Sequence, residues 1–210
     1  MILLANGLFP THPVALQPLL QAEAIVCCDG AFKKLLDFGL TRLCTTDITI
    51  VGDGDSLPPD IKTRFSDRFI HIAEQETNDL TKAFHYCLSL GATDITILGA
   101  TGLRDDHTLG NLSLLAQYSL QASVRIITDH GTFTALHTET SLPSFAGQQV
   151  SIFSLTPQVP ISVSGLRYPI HHRCLDQWWH GTLNESLADT FTITPHASPA
   201  SILIFQTHQQ

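Results

Sequence analysis

Asp94-Ile95-Thr96-Ile97-Leu98 runs directly into Gly99-Ala100-Thr101-Gly102-Leu103-Arg104-Asp105-Asp106-His107. A β-branched apolar run, a loop of small residues, and then Leu109, Leu112, Leu115 and Ala116 at helical spacing read as strand, loop and helix. The same order recurs upstream. Asp47-Ile48-Thr49-Ile50-Val51 leads into Gly52-Asp53-Gly54-Asp55-Ser56, and Phe69-Ile70-His71-Ile72 precedes Glu76-Thr77-Asn78-Asp79. Ala24 to Cys28 reads as a strand that enters Asp29-Gly30 and a helix through Phe38, stopped by Gly39. Ile2 to Ala5 is a strand followed by an Asn6-Gly7 turn, and Val124 to Thr128 closes the series. From Asn78 to Leu90 the apolar positions Leu80, Ala83, Phe84, Cys87 and Leu88 share one helical face, with Gly91 as the stop. Pro13 opens a short helix that Pro18 should limit, and residues 59–67 make a weak helix at best. Strands separated by helices predict an α/β domain over residues 1–132, a mostly parallel sheet with helices on both faces.

Beyond about residue 130 helical stripes disappear and a period of two takes over. Thr132 to Leu136, Val150 to Leu155, Ile161 to Val163, Thr190 to Ile193 and Ser201 to Phe205 alternate, punctuated by prolines. Residues 133–210 are therefore expected to form a small C-terminal antiparallel β-sandwich. A short connection near 130–138 suggests that the two domains pack together.

The composition, 43% hydrophobic and 14% charged, supports a normal core. The formal charge of −8 argues against a general nucleic-acid binder, which usually carries a basic footprint. No apolar run reaches transmembrane length, and Met1-Ile2-Leu3-Leu4 has no preceding basic segment, so neither a membrane span nor a secretory signal is expected. The five cysteines show no CxxC spacing, and adjacent Cys27 and Cys28 read as a buried reduced pair. Together these point to a cytoplasmic protein. His171-His172 has no acidic or cysteine partner at ligand spacing, so no structural metal is expected there.

In an open parallel sheet, loops at the carboxyl ends of the strands gather where ligands bind. Several carboxylates converging there repel one another unless a divalent cation neutralises them. Hard oxygen ligands favour magnesium, which is usually shared with phosphate oxygens. Gly52-Asp53-Gly54-Asp55-Ser56 is a surface turn or a phosphate loop. Thr77-Asn78-Asp79 caps a helix, attracts phosphate, or does both, and Lys82 one turn on is a phosphate ligand or a solvated lysine. Gly99-Ala100-Thr101-Gly102 offers backbone amides to an anion, and Arg104 a planar cationic fork. Asp105 and Asp106 are placed to cap a 107–119 helix. Neither a Walker A loop nor a GxGxxG fingerprint is present. Tyr168, Trp178 and Trp179 are core rings by default, or rings that stack on a flat heterocycle.

The ordered set resembles the thiamine pyrophosphokinase family. The matching segments are Asp29-Gly30-Ala31, Gly52-Asp53-Gly54-Asp55-Ser56, Thr77-Asn78-Asp79-Leu80-Thr81-Lys82, Gly99 through Leu112, Gly165-Leu166-Arg167-Tyr168-Pro169-Ile170 and Leu183-Asn184-Glu185. Ala31, Lys33, Gly54, Leu103 and Leu183 depart from the family pattern, Gly54 where a phenylalanine is usual and Leu183 where a serine is usual.

The resemblance implies transfer of the terminal diphosphate of ATP to the hydroxyl of thiamine, with release of AMP, in a homodimer whose site is shared between subunits. It implies Mg2+ held by Asp53, Asp55 and Asp79. Catalytic roles fall on Asp55, Asp79, Arg104 and Asp106, the last orienting thiamine. Contacts to nucleotide or thiamine fall on Asp29, Gly30, Lys82, Thr101, Gly102, Arg104, His107, Asn111, Tyr168 and Asn184. Two alternatives stand beside it: a magnesium phosphohydrolase of haloacid dehalogenase type, suggested by Asp53-Gly54-Asp55, and a non-catalytic thiamine or nucleotide sensor.

Overall fold

A parallel sheet carries the strand ends just described. The computed structural model describes residues 1–39 and 46–209. The chain divides into two units, Met1–Leu114 with Leu120–Asp129, and Leu115–Ser119 with His130–Gln210. In the first unit the strands are β1 (Ile2–Leu4), β2 (Ala24–Cys28), β3 (Asp47–Gly52), β4 (Phe69–His71), β5 (Asp94–Leu98) and β6 (Ser123–Ile127). They alternate with α1 (Pro13–Leu20), α2 (Asp29–Phe38), α3 (Pro59–Arg64), α4 (Asp79–Ser89) and α5 (Asp105–Tyr118). The strand order is β6-β5-β1-β2-β3-β4, and every neighbouring pair is parallel.

Sequence explains these elements. Ile95, Thr96, Ile97 and Leu98 are all buried, as expected of a strand covered on both faces. Each fully buried aliphatic side chain contributes about 1.5–3 kcal/mol. Helix α4 is capped by Asn78, whose Oδ1 accepts from the Thr81 amide at 2.9 Å, and it buries Leu80, Ala83, Phe84 and Cys87. The chain steps outward from β1 to β4 and then returns to β5 on the other side of β1. Leu4 and Leu98 are in register, so the loops that follow them leave from the same height in opposite directions. Such a reversal of strand order opens a crevice.

Three local expectations need correction. Pro18 lies inside α1 rather than ending it: near the end of an eight-residue helix, its missing amide removes a single backbone bond. Residues 59–67 split into α3 and a 3₁₀ turn at Ser66–Arg68. The stripe on α5 is buried only in its second half, at Leu115 and Ala116, whereas Leu109 is exposed.

In the second unit one sheet has the order β12-β9-β14-β7 and the other β11-β10-β13-β8, all antiparallel. The strands are β7 (Gly131–Leu136), β8 (Thr140–Pro143), β9 (Gln149–Ser154), β10 (Ile161–Ser164), β11 (Ile170–Arg173), β12 (Gly181–Glu185), β13 (Thr190–Pro195) and β14 (Ile202–Thr207). Val150, Ile152, Ile202 and Ile204 from the first sheet and Ile161, Val163, Phe191 and Ile193 from the second form one core. This is the expected sandwich. The sequence pattern missed β8, β11 and β12, and each is an outer strand of its sheet within this unit. β11 has three exposed residues of four, and β12 is interrupted by a register shift at Leu183, whose φ is 57°. Neither can show clean alternation.

Cys27, Cys28 and Cys87 are buried free thiols, and Cys174 is exposed; Cys44 lies outside the described residues. Among the described residues no helix is long and apolar enough to cross a membrane.

Candidate active site

The acidic loops meet at the carboxyl edge of the first unit's sheet. The Lys82 ammonium, on the first turn of α4, lies 3.4 Å from Asp79 Oδ1 and 3.9 Å from Asp53 Oδ2. Lys82 is buried, not a solvated lysine, while the Asp53 and Asp79 side chains remain 20% and 40% exposed. One buried cation therefore joins the loop after β3 to the first turn of α4. Asp53 Oδ1 also accepts from the Asp55 amide at 3.1 Å, and Oδ2 from Gln75 Nε2 at 3.1 Å. These bonds, with the Lys82 charge, hold its carboxyl below the usual range.

Asp55 does not join this pair. Gly54 sits at φ 83°, a left-handed turn that brings the Asp55 amide to Asp53 and leaves the Asp55 side chain exposed. A side chain at position 54 would meet Lys62 and Phe69, which fill the space that the family phenylalanine would need. Among the described residues no three Asp, Glu, His or Cys side chains form a ready metal cage. The expected carboxylate trio is thus an assembled pair, with Asp55 at the loop tip. Two hard carboxylates around a single ammonium still fit magnesium, which commonly takes one or two carboxylates and completes its shell with water and phosphate.

Asp29 opens α2 and is almost fully buried. It accepts from the Gly30 amide at 2.6 Å and the Gly54 amide at 3.1 Å, pinning the acidic loop to the helix. Burial, and then the Asp79 charge, push its carboxyl pKa up. Asp29 is consequently an internal support of the loop in this structure, and Gly30 packs beside it against Asn6.

Beside the carboxylates, a cleft of about 370 Å³ opens at the β1/β5 switch point. Its wall includes Asn6 after β1, Thr101 and Arg104 after β5, Asp79 on α4, and His107 and Asn111 on α5. Asn111 Nδ2 donates to the Ala100 carbonyl at 2.8 Å, tying α5 to the β5 loop. The Gly102 amide donates to Thr108 Oγ1 at 3.3 Å. Arg104 and Asp106 form an exposed two-point pair, Nε to Oδ1 at 3.0 Å and a terminal nitrogen to Oδ2 at 2.5 Å. The Arg104 hydrogen bonds lower the Asp106 pKa to about 2. Asp105 and Asp106 both lie within the first turn of α5 rather than ahead of it, and Asp106 Oδ1 accepts from the His107 amide. Asn6, Cys28, Ser56 and Thr108 also line the cleft and were not among the sequence candidates. The strand-end rule used for β3 and β5 finds Asn6 and Cys28 when it is applied to β1 and β2. A depression of about 390 Å³ at the opposite edge is lined by Met1, Glu23, Asp94 and Arg125, and lies at the wrong end of the strands for an α/β ligand site.

In the second unit Tyr168, Trp178 and Trp179 are all exposed, so they are not core rings. Asn184 is buried: its Oδ1 accepts from the Tyr168 and Glu185 amides at 3.0 and 2.9 Å, and its Nδ2 donates to the Tyr168 carbonyl at 2.7 Å. It fixes the turn that presents Tyr168.

The catalytic-domain family model of thiamin pyrophosphokinase matches residues 16–128, and the substrate-binding-domain model matches residues 131–205. The chain is 26% identical over 197 residues to Thiamin pyrophosphokinase 1 of Caenorhabditis elegans, covering 88% of this chain and 79% of the relative. It is 29% identical over 133 residues to Thiamine pyrophosphokinase 1 of Oryza sativa subsp. japonica, covering 52% of this chain and 49% of the relative, so that match spans about half of the rice protein. The crystal structure of the thiamin pyrophosphokinase from Geobacillus thermodenitrificans shares the fold, with a TM-score of 0.78, 21% identity, and coverage of 100% and 99% of the two chains.

Proposed function

This chain belongs to the thiamin pyrophosphokinase family, and on that premise we propose that it transfers the diphosphate of ATP to the hydroxyl of thiamine, giving thiamine diphosphate and AMP. The observation that carries this reading is the meeting of Asp53 and Asp79 at Lys82, beside the switch-point cleft. Diphosphoryl transfer depends on positioning and charge neutralisation more than on a covalent nucleophile, and these residues supply both.

Asp53 and Asp79 would hold Mg2+, with Asp55 as a third carboxylate at the loop tip. The ion, when bound, neutralises charge on the polyphosphate. Lys82 keeps the carboxylates at a fixed spacing and offers its ammonium to a phosphate oxygen. Asp29 supports their loop through its two backbone bonds. Thr101, Gly102, His107 and Asn111 shape the nucleotide wall. Arg104 meets transferring charge once its fork is shared between Asp106 and phosphate, and Asp106 then orients the thiamine hydroxyl.

We assign Tyr168, on the turn held by Asn184, to the thiamine ring. Among the described residues the first unit's cleft wall has no aromatic ring apart from His107 but borders the Asp53 and Asp79 pair, and the second unit carries the exposed rings Tyr168, Trp178 and Trp179. This division supports a homodimer in which one subunit's carboxylates and the other's sandwich build each site. The buried free thiols suit a cytoplasmic setting. Incubation with ATP, Mg2+ and thiamine should yield AMP and thiamine diphosphate in equal amounts. Formation of ADP, or a trapped aspartyl-phosphate, would overturn the assignment in favour of a different phosphoryl transfer, and ligand binding without AMP would mark a sensor.

A further inference from the structure

We infer that Asn6 is a nucleotide-contacting residue and that Lys34 is the positioning residue that fixes it. The inference rests on the cleft being the ATP site. Asn6 follows β1 at the switch point, is exposed, and lines the cleft. Its carboxamide rests against Gly30, and among the described residues it has no hydrogen-bond partner. A free carboxamide offers a donor and an acceptor together but no charge. Its paired donor and acceptor match the hydroxyls or ring edge of a nucleoside, which present both as well. Of the charged groups assigned to phosphate, Asp79 and Arg104 line the same cleft, whereas Asp53, the other carboxylate at Lys82, follows β3. β3 lies two strands from β1, roughly 10 Å at about 4.8 Å per strand. A phosphate chain laid over β2 would span that separation and bring the nucleoside to Asn6.

The backbone around Asn6 is held from two directions. On one side the Gly7 amide donates to the Gly99 carbonyl at 2.6 Å and the Leu8 amide to the Thr101 carbonyl at 2.7 Å. A side chain at position 7 would overlap both of those carbonyls, so this close approach requires glycine. On the other side the Lys34 ammonium, on α2, donates to the Asn6 carbonyl at 2.7 Å and the Gly7 carbonyl at 2.5 Å. Lys34 is half-buried, and none of its recorded ion pairs or hydrogen bonds goes to a carboxylate among the described residues. Burial pushes its pKa down. A half-buried lysine held, among the described residues, by the carbonyls of a cleft-lining turn is placed to set the conformation of that turn.

Isothermal titration of the full-length protein with AMP and with Mg-ATP tests both parts. Asn6→Ala should weaken nucleotide binding about three- to tenfold, the range for losing a neutral hydrogen bond, with unchanged thermal stability. Lys34→Met should weaken it similarly, and Lys34→Arg, which can still donate to both carbonyls, should restore it. The double variant Asn6→Ala/Lys34→Met should bind no more weakly than Lys34→Met alone, because the two residues act as one unit. In turnover, Asn6→Ala should raise the KM for ATP and leave the KM for thiamine unchanged. Wild-type affinity in Asn6→Ala overturns the inference, as does a wild-type protein that binds neither nucleotide. A Lys34→Met protein with lowered Tm and unchanged nucleotide affinity overturns the positioning role. If Lys34→Met does not fold, Lys34→Arg and Asn6→Ala still decide. Nucleotide binding that depends on Asn6, in a protein forming no AMP from ATP and thiamine, would sustain this inference while removing the proposed reaction.

Discussion

Lys82→Met removes the buried cation between Asp53 and Asp79 and keeps most of its apolar stem. At 3.4 and 3.9 Å each attraction is worth about 4–5 kcal/mol gross at an effective dielectric constant of about 20. Burying the ammonium offsets several kcal/mol of this. Water reaching the 40%-exposed Asp79 side chain weakens its share further. Removal also leaves two carboxylates facing each other, so the expected net loss is about 2–4 kcal/mol. For a chain of this size that is a fall in Tm of about 5–15 °C when measured in chelator. The carboxylates left behind are a better divalent-cation site, because the metal no longer competes with an ammonium. Mg2+ should therefore stabilise Lys82→Met more than wild type: a tenfold tighter site adds about 1.4 kcal/mol at saturating metal. The assay is thermal unfolding in EDTA and across a Mg2+ titration. Equal Tm in EDTA together with an equal response to Mg2+ would refute the view that the Lys82 ammonium bridges and partly neutralises the two carboxylates that hold the metal.

Asp79→Asn should abolish AMP release at saturating magnesium in a protein that still folds cooperatively, with Tm lowered because buried Lys82 loses its nearer carboxylate; near-normal turnover would remove Asp79 from the metal set. Asp129 accepts from the Thr11 and His12 amides at 2.9 and 3.0 Å ahead of α1, and these bonds outweigh burial to lower its pKa. Its stabilising share is thus present above the unfolded-state pKa of about 3.9 and is lost as pH falls through the lower folded value. Asp129→Asn should reduce Tm at neutral pH and flatten the acid limb of the stability profile, which thermal scans between pH 2 and 7 would reveal. Phe191→Ala should cost about 3–5 kcal/mol in denaturant titration, since the ring is fully buried in the sandwich core; a loss below 1 kcal/mol would contradict that packing. Purified heterodimers of coexpressed Asp79→Asn and Tyr168→Ala subunits should recover up to about half of wild-type activity if each site draws on two subunits; heterodimers as inactive as both parents would reject the shared site.

Much of the first unit was legible because its strands are buried on both faces and its loops begin where apolar runs end. Asp53, Asp79 and Arg104 stand out by that position alone. Pairings across the sequence were not legible. That Lys82 is buried between Asp53 and Asp79 depends on β3 and α4 converging, and neither segment records this. The inward role of Asp29 is hidden for the same reason: its partner Gly54 is 25 residues away. In the second unit the central strands alternate clearly, and the outer strands β8, β11 and β12 do not, because one neighbour and partial exposure impose little pattern. The exposure of Tyr168, Trp178 and Trp179 ran against the ordinary preference of aromatic rings for the core, and only the three-dimensional arrangement exposes it.

The buried amide of Asn184 has a consequence for how this chain can change over time. It holds position 168 through that residue's own backbone nitrogen and oxygen, so the side chain at 168 bears none of the folding constraint. Mutation can therefore replace the phenol ring by other groups without dislodging the turn that carries it. Position 184 has no such latitude, because no other side chain presents the same donor and acceptor from the same place. Substitution at 184 should therefore cost the fold, and substitution at 168 only the ring offered to the ligand, making this turn a fixed socket with an exchangeable tip and a natural starting point for laboratory evolution toward altered heterocycles.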